Sequence, residues 1–297
     1  MSKTEDPEFD TGEFIRLMKA APARALLSQP VDRNDRSDKV EMVEESRAYR
    51  VDPAKADPNT VFIDGIQHAV RVASRDSRPV YLLYVAAGCV DVDLKPIARM
   101  EKVVVACAAT DVDWILEICP HAPVRRLAVG APPEIARHAH NLLGQMRDKL
   151  EKDLLEEVID LGCAPIVVDG ALYGRPVIGG LSGLAKTMNT QWMEDETILW
   201  TLFAGWRSPI FKIPSGIGHG ADRYSCYTRL HNPSNSEWSH GLVRLESFEQ
   251  EALESLCATA FKQRQAPGDD RRWDRHLRTV RGVEEMLRMM RPLAFTT

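Results

Sequence analysis

The chain has no run of about 18 apolar residues, so none of its helices is expected to span a membrane. Residues 1–14 are acidic and polar and lack the apolar core of a signal peptide. The six cysteines (Cys89, Cys107, Cys119, Cys163, Cys226 and Cys257) are scattered singly, with no CxxC pair. That spacing argues against a zinc site and for small buried hydrophobes. A reducing cytoplasm fits such cysteine usage. An excess of positive charge is missing too. The net charge of −5 argues against a surface coated for nucleic acid, though not against a local groove. No internal repeat is visible. What is present is an ordinary globular composition, 44% hydrophobic and 27% charged, and 297 residues allow one large domain or two small ones.

Two apolar runs each end in aspartate and glycine: Val61-Phe62-Ile63-Asp64-Gly65 and Ile166-Val167-Val168-Asp169-Gly170. β-Branched runs of this length read as buried strands, and the glycine marks a turn or a close backbone approach. An aspartate at the end of a buried strand is costly unless something pairs with it, and a metal ion is one such partner. Alone, either aspartate could be a turn-former bonding its own backbone. Two in matching contexts suggest a shared sheet and a shared cation.

Around these runs the pattern is mixed α/β. Helical spacing covers 10–27, and 32–58 reads as a charged, proline-punctuated cover with a short helix. Residues 1–58 are thus expected to form a helical or linker segment ahead of one domain over 59–297. After the first Asp-Gly run come strand signals at 68–73, 80–86 and 103–108, read as a hairpin and a meander. Residues 133–161 carry the longest helical period, with Gly162 at the C-cap position. Short strands are expected at 176–180 and 210–213, an antiparallel pair at 224–230 and 241–245, and closing helices at 249–264 and 271–290. Strands in the middle flanked by helices predict a mixed sheet.

Glu151 lies on the long helix that leads into the second run, and Arg147, four residues earlier, is placed to steady it. A solvated helix face is the plain alternative for both. Oxygen-only ligands select magnesium or manganese. Two such ions about 3.5–4 Å apart suit phosphodiester hydrolysis. Residues 262–291 hold nine Lys/Arg against five Asp/Glu, and His276 sits within them, expected on a basic helix. A histidine there would suit proton transfer or phosphate orientation. His68 is a rival, on the same side as Asp64 by strand alternation, and His231 and His240 are weaker ones. Lys186 follows the glycine-rich 178–185 segment, which matches neither a Walker A loop nor a dinucleotide fingerprint. Lys186 and Arg147 are the cations placed to bind substrate.

In this order the pieces resemble the NurA nuclease family. The resemblance rests on Phe62-Ile63-Asp64-Gly65, on Arg147 to Glu151 in a helix, and on Val167-Val168-Asp169-Gly170-Ala171-Leu172. It continues through Val177 to Leu181 with Lys186, through Tyr227-Thr228-Arg229-Leu230 and Leu242 to Glu246, and ends at His276. It implies an RNase H-like fold and a manganese-dependent DNA nuclease with two ions. The family forms dimers and works with HerA, a hexameric ring ATPase. By position, Asp64, Glu151 and Asp169 would be the metal carboxylates and His276 a fourth member of the catalytic site. Two departures stand out. Ile66 replaces a small hydroxyl residue, and Asn189 to Glu194 lacks the tyrosine expected there. They keep a non-catalytic subunit docked on the ATPase in view, and an RNA or hybrid substrate is a further alternative.

Overall fold

The computed structural model describes residues 40–186, 192–193, 197–215, 221–233, 239–266, 275–292 and 295. The helix expected at 10–27, the neighbourhood of the missing tyrosine except Trp192 and Met193, and residues 271–274 lie outside these. In chain order the elements are β1 (Glu41–Met42), β2 (Tyr49–Arg50), β3 (Val61–Arg75), β4 (Arg78–Asp91), β5 (Pro96–Ala108), α1 (Val112–Ile118), β6 (Val124–Leu127), α2 (Pro132–Asp160), β7 (Ile166–Asp169) and β8 (Leu181–Ala185). There follow α3 (Thr197–Thr201), β9 (Trp206–Arg207), β10 (Phe211–Ile213), β11 (Arg223–Arg229), β12 (Leu242–Ser247), α4 (Ala252–Lys262) and α5 (Arg278–Met289). The fold is α/β, a large mixed sheet flanked by helices. Among the described residues no helix is long and apolar enough to cross a membrane.

The strands run in the order β1-β10-β11-β12-β8-β7-β3-β4-β5-β6. β3, β4 and β5 form the antiparallel meander, longer than the sequence suggests: the 74–79 connection shrinks to a two-residue turn. Asp76 and Ser77 both take positive φ (47° and 67°), the mirror-image turn that matches strand twist. Arg75 still pairs with Arg78 across it. The chain then crosses by α2 to β7, which lies parallel to β3, and β8 lies parallel to β7.

Two cores sandwich the sheet. Alternation sends Val61, Ile63, Ile166 and Val168 to the face covered by α2, with Ile135, Leu143, Leu154 and Val158 of that helix. Phe62, Ile66 and Val167 face the other way, toward Leu253 and Cys257 of α4 and Val280 and Val283 of α5. Gly88 lets α5 settle directly on β4. A Cβ there would lie 2.8 Å from Met286 Cε and 3.2 Å from Leu287 Cδ2. Gly162, at φ 75°, sits one residue past the C-cap Leu161 and ends α2.

Two expectations need correction. The strand expected at 176–180 lies further along: 176–180 is irregular, and Leu181–Ala185 is a fully buried strand between β7 and β12. Its small residues carry no alternating signal because both faces are covered. Gly183 serves packing, since a Cβ there would come within 2.8 Å of the Gly170 carbonyl oxygen. Within the expected linker, β1 pairs with β10 and β2 with β9. Glu44 anchors that stretch by a two-pronged ion pair with buried Arg207 (2.6 and 2.9 Å).

Candidate functional site

The parallel pairing of β3 and β7 brings the two Asp-Gly motifs together. Ile63 pairs with Val168, so the next step along each strand carries Asp64 and Asp169 to adjacent positions. By alternation both project to the face of Phe62 and Val167. Asp64 is buried. Its Oδ1 accepts the Gly65 N–H at 2.7 Å, and its Oδ2 is enclosed with no donor. Burial pushes the Asp64 carboxyl well above its ordinary range, and neighbouring Asp169 pushes it further; Lys186 and the Gly65 N–H oppose the rise. Lys186 Nζ contacts Asp169 Oδ2 at 2.8 Å, while Asp169 Oδ1 is a second enclosed acceptor with no donor.

Glu151 approaches from the other side of the sheet, on α2. It is buried, and its Oε2 accepts from Arg175 Nη2 at 2.7 Å. Arg147 Nε lies 3.4 Å from Oε1, an ion contact one turn away as the spacing suggests. Burial pushes the Glu151 carboxyl up against the pull of Arg175 and Arg147. Gly65 makes the room: a Cβ there would sit 2.7 Å from Glu151 Oε1. The missing side chain opens a passage beside Asp64 for a carboxylate from the opposite layer.

A cavity of about 550 Å³ joins these groups. Asp64, Glu151, Asp169, Arg147, Arg175 and Tyr173 are among its walls. Gly170 and Gly174 take φ of 99° and 68°, so the chain leaves β7 and turns back to deliver Arg175. Glu246 of β12 holds this loop. It is buried, accepts the Leu172 N–H at 2.8 Å, and pairs with Arg244 at 2.8 Å and Arg223 at 3.9 Å. Arg244 in turn lies over the Trp192 ring, 5.6 Å from its centroid.

His276 is not on a helix, because α5 starts at Arg278 with Leu277 as its N-cap. Its carbonyl accepts the Gln265 N–H at 3.0 Å, and it is not among the residues lining the cavity. Neighbouring Arg275 reaches the Lys186 carbonyl at 3.3 Å, which ties this segment to the edge of the site. His68 packs edge-on against Phe295, with ring centroids 6.0 Å apart, and does not line the cavity either.

Sequence reasoning missed Arg175 and Glu246. Arg175 follows Tyr173-Gly174, and only its pairing with Glu151 marks it. Glu246 sits in the strand Leu242–Ser247 two residues after Arg244, and a charge in a strand with an apolar start demands partners; this was the available signal. The two orphaned oxygens of Asp64 and Asp169 suit a hard divalent cation, which needs oxygen acceptors. Glu151, in contrast, is committed to arginine. Among the described residues no three of His, Cys, Asp and Glu converge into a ready metal cage. Compared with known proteins, the chain matches no family model and no curated protein.

Proposed function

We propose that the cavity is the site of a divalent-cation-dependent DNA nuclease of the NurA type, on an RNase H-like sheet. Support for the fold comes from the order β5-β4-β3-β7-β8, a meander followed by a helical crossover to two parallel strands. Asp64 on the first strand, Glu151 on the crossover helix and Asp169 on the next parallel strand follow the order the resemblance implies. The observation that carries the reading is the pair of enclosed carboxylate oxygens, Asp64 Oδ2 and Asp169 Oδ1, on adjacent strands without donors. Buried acceptors of this kind are normally satisfied, so they call for a cation or a donor.

Manganese or magnesium bound there would supply the Lewis acid for phosphodiester hydrolysis. Asp64 and Asp169 would hold it, with Glu151 as the further carboxylate. Lys186 and Arg147 would meet the phosphates and His276 would complete the site from its edge. DNA is the substrate in this reading, a HerA-type hexameric ATPase the partner, a homodimer the assembly and the cytoplasm the setting.

Cleavage of matched DNA, RNA and hybrid oligonucleotides with Mn²⁺ tests it. Asp64→Asn and Asp169→Asn should each lose more than the roughly 100-fold that an outer-shell change costs. Cleavage undiminished in both variants refutes the assignment, and preference for RNA or hybrid moves the substrate. The engagement of Glu151 by two arginines favours a second reading, a non-catalytic subunit that docks on the ATPase. Intact complex formation without Mn²⁺ binding would select it.

A further inference from the structure

Arg175 is the cavity residue whose chemistry is incomplete. Its side chain is 10% exposed. Nη2 holds Glu151 at 2.7 Å, but Nη1 is enclosed and has no acceptor. A charged donor buried without an acceptor costs free energy comparable to a lost hydrogen bond. A guanidinium fork matches two oxygens of one phosphate, and here only one prong is used. The site around it is charge-balanced. Asp64, Asp169 and Glu151 meet Lys186, Arg175 and Arg147, so a divalent cation entering alone would leave the pocket positive.

We propose that Arg175 is a phosphate-responsive latch. Without substrate it holds Glu151 away from Asp64 and Asp169. A phosphodiester oxygen draws the guanidinium outward, where both prongs are satisfied, and the freed Glu151 carboxylate turns past Gly65 toward the two aspartates. Anion binding and cation binding then strengthen each other, and by linkage each does so by the same factor. The inference rests on the nuclease reading and adds to it a positioning residue and an order to the loading of the site.

The test reads free Mn²⁺ by electron paramagnetic resonance on the full chain. The anion probe is a phosphorothioate thymidine octamer, which keeps its charge and resists hydrolysis. For the wild type, saturating octamer should tighten Mn²⁺ binding about tenfold, within the usual range of coupling. Arg175→Gln should bind Mn²⁺ several-fold more tightly than wild type without octamer, and its coupling should fall to about twofold or less. Lys149→Gln removes an exposed charge of the same helix that pairs with Asp153 and does not line the cavity, and should change anion-free affinity by less than about twofold. Equal tightening by Lys149→Gln, or unchanged anion-free affinity in Arg175→Gln, overturns the latch. If Arg175→Gln fails to fold by circular dichroism, Arg175→Lys decides: it keeps the charge without the fork, and unchanged coupling there refutes the proposal. Wild-type protein that binds Mn²⁺ and cleaves DNA while Arg175 variants keep full coupling leaves the nuclease reading standing and sinks only the latch. Wild-type protein that binds no Mn²⁺ sinks both.

Discussion

Asp64→Asn should stabilise the protein and, on the proposed nuclease reading, remove its cleavage. The wild-type carboxylate is buried beside Asp169, with Oδ2 lacking any donor. The amide keeps Oδ1 for the Gly65 N–H and replaces the orphaned acceptor by an NH₂ that can donate to the orphaned Asp169 oxygen. Relieving one buried unsatisfied acceptor is worth about 1–3 kcal/mol. At about 2–4 °C per kcal/mol for a large domain, the melting temperature should rise by roughly 2–12 °C. The pH dependence has a definite sign. Burial raises the folded-state pKa of Asp64 above its ordinary 3.8, so the folded state holds that proton more tightly than the unfolded state. Wild-type stability from this group is therefore full below about pH 3.8 and is lost as pH rises through the folded pKa. Asparagine carries no such proton, so the advantage of the variant should be small near pH 4 and larger at pH 8. Manganese at 100 times Kd should offset that advantage at pH 8, because it stabilises only the protein that binds it, by about 2.7 kcal/mol. Calorimetric melts at both pH values, with chelator and with Mn²⁺, read all of this. A variant that melts below wild type at pH 8 in chelator, or a gap that does not grow with pH, refutes the reasoning.

Gly65→Ala should fold with a loss of about 1–3 kcal/mol, because its Cβ meets Glu151 Oε1 at 2.7 Å and the Ala86 carbonyl at 3.2 Å. It should also lose cleavage by displacing Glu151; urea unfolding and the nuclease assay together check it, and full activity would show that Glu151 does not use that passage. Glu246→Ala removes the carboxylate that pairs with buried Arg244 and Arg223 and accepts the Leu172 N–H, so it should cost about 3–5 kcal/mol in urea unfolding. A loss under about 1 kcal/mol would mean that water replaces the carboxylate and that Glu246 does not hold the loop.

The long helix was legible because its apolar residues repeat every three to four positions and Gly162 closes it. The Asp-Gly runs were legible because a carboxylate after a β-branched run breaks the apolar pattern. The buried strand β8 was not legible: Leu181-Ser182-Gly183-Leu184-Ala185 is too small and too short for a period, and its strand character comes from β7 and β12 on either side. His276 drew notice as a histidine in a basic run, but helix α5 begins two residues later, so spacing along a helix did not apply to it.

Taken alone, the amino-acid sequence determined where the two Asp-Gly strands and the main helix run and that both strand ends carry carboxylates, because side-chain period and turn chemistry act over a few neighbouring residues. It determined neither the pairing of β3 with β7 nor the face from which each acid arrives. Those follow from the crossover of α2 and from alternation across the sheet, which together place Asp64 and Asp169 on one side and Glu151 on the other. Only the tertiary structure decided the partners. Arg175 meets Glu151 across 24 residues and Glu246 meets Leu172 across 74. A buried charge must find its counterpart wherever the packed chain brings one, and no local pattern encodes that distance.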